Sequence, residues 1–201
     1  MSNSGSHVEV YPDTHHDVYS KTVFGFWLYL ITDFVLFATM FAAFAVLSKS
    51  FFGAAEPKQM FNLSYTALQS FLLLGASFTA GLGGAMVHRR KMVPTLVFFI
   101  LTFCLGSVFA VSQFKELSNL VSEGINWTQS AYLSMFFSII MTFLIHVVIA
   151  LLWTVVLIVP TLFTGLDSVA MRRLTCLRMF WQFLNIVWVF IFTIVYLAGV
   201  I

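Results

Sequence analysis

Charged residues fall in a few short clusters along the chain, and the segments between them are almost continuously apolar. Stretches free of Asp, Glu, Lys, Arg and His run from Gln59 to Val87, from Met92 to Phe114 and from Met179 to Ile201. Gly124 to Leu166 is broken only by His146, and Val23 to Ser48 only by Asp33. A helix of about 20 apolar residues crosses the hydrocarbon core of a bilayer. The pattern therefore predicts an all-α integral membrane protein, a bundle of five transmembrane helices at about 22–47, 66–87, 94–112, 131–163 and 180–200. Residues 1–21 form a separate polar tail, and residues 22–201 the five-span domain.

The fourth stretch is long enough to be two spans. That reading needs a turn near Thr142–His146, where there is no Gly, Pro or charge. The basic residues decide between the counts. Five spans put Lys21, Arg89, Arg90, Lys91, Arg172, Arg173 and Arg178 on one side and Lys49, Lys58 and Lys115 on the other, seven against three. Six spans give four against six. Basic residues concentrate in cytoplasmic loops, which favours five spans with the N-terminus cytoplasmic and the C-terminus periplasmic.

Composition narrows the function classes. Of 201 residues, 60% are hydrophobic and 9% charged, against about 25% charged in a soluble domain, so a soluble enzyme is excluded. A net charge of +2 gives no argument for nucleic acid. Cys104 and Cys176 form no CxxC pair and no disulfide framework. The tail carries His7, His15 and His16 among acids, and a flexible tail is a better reading than a metal tract. It lacks the basic start, apolar core and cleavage site of a secretory signal, so the first span is expected to stay in the mature protein. The loops are too short for a catalytic domain. No internal repeat and no matched pair of broken helices is present, which argues against an inverted-repeat transporter.

Polar chemistry is sparse. Asp33 lies 11 residues beyond Thr22, near the bilayer midplane, where a carboxylate costs about 2.5–3.5 kcal/mol. Tyr29, one turn earlier, is positioned to hydrogen-bond it. His146 is the one His inside a span. A bis-His haem needs two axial His and an oxidase copper centre three, so this chain is not expected to hold such a centre. Span two carries small residues at four-residue spacing, Ala76, Ala80 and Gly84 beside Gly75, Thr79 and Gly83, a helix-packing signal. Gln69, near its end, is expected at the membrane interface. In span five, Trp181, Asn185 and Trp188 share a face with Gln182 beside them. Its amides suit interhelical hydrogen bonds of about 0.6–2 kcal/mol. Arg178 sits at the edge of that span.

These segments bear a resemblance. Phe24-Gly25-Phe26-Trp27-Leu28-Tyr29-Leu30 with Thr32-Asp33 and Leu36-Phe37, Phe71-Leu72-Leu73-Leu74, Phe180-Trp181, Phe183-Leu184, Val187-Trp188 and Phe192-Thr193-Ile194-Val195-Tyr196-Leu197 closely resemble subunit III of the cytochrome o ubiquinol oxidases, the five-helix form of the haem-copper oxidase subunit III family. The similarity runs from Val23 to the C-terminus. It implies a non-catalytic subunit with no cofactor of its own in the bacterial cytoplasmic (inner) membrane. Subunit I would hold haem b, haem o and copper, reduce oxygen to water and pump protons. Subunit III would pack on subunit I beside subunits II and IV, stabilise it and bind phospholipid in a helix cleft. Trp27, Asp33, Trp181 and Arg178 are the candidates near such a cleft, and His146, Gln182 and Asn185 the further intramembrane polar groups.

The chain departs from the family pattern where His-Gly-x-His-Val reads Phe143-Leu144-Ile145-His146-Val147 and where Phe-Trp-His-Phe-Leu-Asp reads Phe180-Trp181-Gln182-Phe183-Leu184-Asn185. Gln69 and Gln113 stand where the family has Glu. Two other readings compete: an accessory protein of another respiratory enzyme, of the nitric oxide reductase type, and an independent proton-coupled transporter using Asp33.

Overall fold

A computed structural model describes residues 14–48 and 63–197. The expectations placed on His7, Lys49 and Lys58 lie outside the described residues. Among those described there are five helices, each long and apolar enough to cross a membrane, and no strand. They are α1 (Thr14–Leu47), α2 (Leu63–His88), α3 (Met92–Ser122), α4 (Ala131–Thr164) and α5 (Ser168–Ile191), the last continuing as a π-helical segment, Phe192–Leu197.

The fourth apolar stretch is one unbroken helix through Thr142–His146, which leaves five spans and not six. In lipid the backbone must bond to itself, and nothing at 142–146 can break a helix. The helices outrun the charge-free stretches. α3 passes Lys115 and Glu116 and ends at Glu123, followed by Gly124 at φ +84°. Lys and Glu are good helix formers, and a left-handed glycine is a common helix stop. Local signals likewise start two helices. The Ser130 side chain accepts from Leu133 N at 3.1 Å to begin α4, and Asp167 accepts from Ser168 N at 2.7 Å to begin α5.

α5 is the hub, packing on α1, α2 and α4, while α2 also packs on α3 and α3 on α4. The helices α2 to α5 thus close a four-helix ring, and α1 lies along the seam between α4 and α5. Half of the span formed by α5 is buried, against 17% of that formed by α1.

Small residues allow the close approaches in the ring. Gly83 of α2 lies under the Phe99 ring of α3, 3.1 Å from where a Cβ would stand. The aliphatic stem of Arg178 fills the space beside Gly84. Gly106 of α3 makes a notch for the Trp181 indole, with Leu151 3.2 Å from its missing Cβ. Trp181 and Trp188 are both fully enclosed. Their indole N–H groups donate to Thr154 Oγ1 at 3.2 Å and Ser70 Oγ at 2.9 Å, tying α5 to α4 and α2. Thr79 and Thr102 join α2 to α3 at 2.8 Å.

A methyl group at Gly106 meets the Trp181 ring, whereas one at Gly25 meets nothing within 4 Å. Overpacking of this kind costs about 1–3 kcal/mol. Gly106→Ala is therefore expected to lower the thermal midpoint of the detergent-solubilised protein clearly, and Gly25→Ala to leave it unchanged or slightly raised. Equal effects at the two sites would refute the notch.

Candidate functional site

The two ionisable groups read inside the spans meet. His146 Nδ1 lies 2.8 Å from the Thr142 carbonyl oxygen one turn earlier on α4. A carbonyl can only accept, so Nδ1 carries a hydrogen. That fixes the ring and turns Nε2 toward α1, 3.9 Å from Asp33 Oδ2. This oxygen is buried and has no hydrogen-bond partner among protein atoms. A bare imine nitrogen facing a bare carboxylate oxygen is repulsive. One proton on either atom makes the contact attractive, and with it the pair has no net charge. An uncompensated charge at this depth would be far more costly.

The walls around the pair are apolar. The Phe37 ring stands 5.3 Å from the imidazole, edge-on, and packs on Phe143 and Phe183. The Tyr29 hydroxyl donates to the Asp33 carboxylate from one turn earlier. Asp33 and His146 keep only 13% and 14% of their side-chain surface exposed. The arrangement can hold a proton and join α1 to α4.

The other candidate residues lie elsewhere on α5 and α1. Trp27, Ile31 and Phe34 of α1 face Gln182, Phe183 and Ile186 of α5 across an apolar cleft of about 360 Å³. Asn185 opens onto the opposite flank of α5, in a groove of about 130 Å³ shared with Ser70, Leu74 and Trp188. Trp181 points into the ring, and Arg178 lies against Gly84 of α2 with its Nε buried and without a hydrogen-bond partner. The structure brings Asp33 to His146 and Trp27 to Gln182. It does not place Asp33, Trp181 and Arg178 along the lining of that cleft.

A second polar group was not visible as one from the sequence. Gln69, expected at the interface, is 1% exposed and turned inward, where its amide donates to Glu116 Oε2 at 3.0 Å. Gln113, fully buried, donates to the Tyr196 hydroxyl at 3.2 Å. The predicted third span, 94–112, leaves Glu116 outside it because a charge ends the apolar run. The signal that places it is the run Gln113, Glu116, Leu117, Leu120, one helical face that continues to Gly124. Among the described residues, no group of three or more His, Cys, Asp or Glu could hold a metal ion.

No protein-family model matches the chain. It is similar to curated relatives along nearly its whole length. It is 40% identical to cytochrome bo(3) ubiquinol oxidase subunit 3 of Pseudomonas aeruginosa, over 93% of this chain and 90% of the relative. Identity is 34% to the protein of the same name in Buchnera aphidicola subsp. Baizongia pistaciae, covering 92% and 95%. It is 33% to quinol oxidase subunit 3 of Bacillus subtilis, covering 88% and 87%.

If the Asp33–His146 contact is attractive, truncating both residues should cost less than the sum of truncating each. A double-mutant cycle with Asp33→Ala and His146→Ala is expected to show coupling of about 0.6–1.7 kcal/mol, the range of polar pairs between membrane helices. The cycle is read by reversible unfolding in mixed micelles, and strict additivity would refute the pairing.

Proposed function

The chain belongs to the subunit 3 family of the bacterial quinol oxidases, and from that membership we propose that it serves as the accessory subunit of a proton-pumping respiratory quinol oxidase. It is a multi-pass protein of the bacterial inner membrane. The observation that carries the reading is 31–40% identity over about nine-tenths of the chain to proteins named as subunit 3 of a quinol oxidase. In this reading the redox chemistry belongs to subunit I, which holds haem b, haem o and copper and reduces oxygen to water with electrons from quinol. The present chain packs against subunit I, with subunits II and IV in the same complex, and supports its stability. Its N-terminus faces the cytoplasm and its C-terminus the periplasm, the orientation favoured by seven basic residues against three.

The surface chemistry supports a structural role. Trp181, Trp188, Thr79, Gln69 and Gln113 bond inward to other helices, and the outer faces present Phe24, Trp27, Phe71, Phe78, Val97 and Phe114. Such faces suit lipid tails or apolar faces of other subunits. Phospholipid is the ligand we assign to the α1–α5 cleft. Its aromatic walls accept an acyl chain, and Gln182 offers an amide. The basic residues Arg172 and Arg173 near the start of α5 suit a headgroup phosphate. The Asp33–His146 pair serves to hold α1 in place beside this cleft.

A tagged chain isolated in mild detergent should bring down a haem b and haem o spectrum with quinol-dependent oxygen uptake. A chain that stays alone and monodisperse in several detergents, and that conducts protons in liposomes, would overturn the proposal in favour of a transporter. For the cleft, Ile31→Trp fills the space between Trp27 and Ile186. It is expected to abolish retention of tightly held phospholipid through purification while leaving association with the haem-bearing subunit intact. Unchanged phospholipid content would remove the lipid assignment.

A further inference from the structure

The polar cluster formed by Gln69, Gln113 and Glu116 is not used by the proposed function, and it has a surplus of acceptors. Three helices and the π-helical segment contribute to it: Gln69 from α2, Gln113 and Glu116 one turn apart on α3, Tyr132 at the start of α4, and Tyr196. The nitrogens of both amides are committed, one to Glu116 at 3.0 Å and the other to Tyr196 at 3.2 Å. Both amide oxygens are buried and face no protein donor, in side chains that are 1% and 0% exposed. Glu116 and Tyr132 lie close enough to Tyr196 to act on it electrostatically, so these groups form one neighbourhood.

A buried carbonyl oxygen without a donor forfeits its hydration with nothing in return, and two on facing helices would be a poor way to close a bundle. We propose that this cluster is an internal hydration site, with at least one ordered water donating to Gln69 Oε1 and Gln113 Oε1. The chemistry favours water over a cation. A buried water takes two to four polar partners, and amides and phenols can both give to it and accept from it. The one carboxyl group in the cluster, that of Glu116, already accepts the Gln69 amide. Glu116 is also partly exposed, which gives the site a polar mouth at the bundle end remote from the Arg89–Lys91 turn. The Asp33–His146 pair differs in kind: its walls are Phe37, Phe143 and Phe183, and its members face each other without an amide between them.

The test is a density map at about 2 Å of the full chain in the assembly with which it is isolated. The expected result is a solvent peak at about 2.6–3.2 Å from both Gln69 Oε1 and Gln113 Oε1. The Gln69→Leu/Gln113→Leu double variant should lose that peak while the Trp188–Ser70 hydrogen bond persists as an internal control of folding. Two results would overturn the proposal. One is a map in which both oxygens meet protein donors with nothing between them. The other is a peak at about 2.3–2.5 Å, the distance of a cation to oxygen ligands, with a thermal midpoint that rises in sodium or potassium salt but not in N-methylglucamine salt of equal ionic strength.

Discussion

In a hydrocarbon solvent one apolar helix gains nothing by covering another, because lipid tails are as apolar as Leu and Phe. Everything that makes this chain a defined bundle must come from contacts that lipid cannot imitate. These are close approach of backbones over small residues, fitted rings, and hydrogen bonds between side chains that have no water to turn to. The structure uses each at a particular seam. Gly83 and Gly84 draw α2 against α3 and α5, and Gly106 admits the Trp181 ring. The two indole N–H groups and the Thr79–Thr102 contact then fix the register. With these in place α5 becomes the element on which the other helices depend.

α1 stands outside this arrangement. It is the least buried span, has no small-residue notch, and packs mainly on α4 and α5. Aromatic contacts give it shape complementarity: Phe26 on Trp153, Phe37 on Phe143 and His146, Phe44 on Tyr132. They carry little directional information about depth in the membrane. The Asp33–His146 pair does carry it, because only one register satisfies both partners and any other strands a carboxyl group and an imidazole in lipid. The polar pair therefore acts through specificity more than through net energy, as buried ion pairs do in some soluble proteins.

The helices were legible because charge avoidance over about 20 residues has few meanings other than a membrane span. Five spans over six was legible too, since residues 142–146 offer no means of turning a chain in lipid. The Tyr29–Asp33 bond could be read from one-turn spacing. Contacts between helices were harder. Asp33 and His146 were each recognised but not joined, although intramembrane ionisable residues usually pair with one another; with one acid and one base, elimination would have sufficed. Glu116 was misplaced for a physical reason. A charge marks where the chain meets polar surroundings, not where its hydrogen-bond ladder stops, and the ladder here runs on to Gly124. The inward turn of Gln69 and Gln113 depends on residues 47 and 83 positions away, and no local pattern encodes that.

Three of the departures from the family pattern, at positions 143, 69 and 113, share an explanation from packing. Phe143 stands where the pattern has His, and it is fully buried, 5.3 Å from the Trp188 ring and edge-on to Phe109. An imidazole there would need a polar partner that an aromatic cluster does not supply. At positions 69 and 113, amides replace carboxyls and are buried more deeply than Glu116, the one carboxyl group of that cluster. An amide both gives and accepts hydrogen bonds and is neutral whatever its surroundings, so it can be enclosed without a counter-charge. Each substitution thus removes an ionisable group from a place of low polarity and leaves the helix-to-helix contact in being. The carboxyl groups that remain have what those positions lack: Asp33 has His146 beside it, and Glu116 has the Gln69 amide and partial exposure.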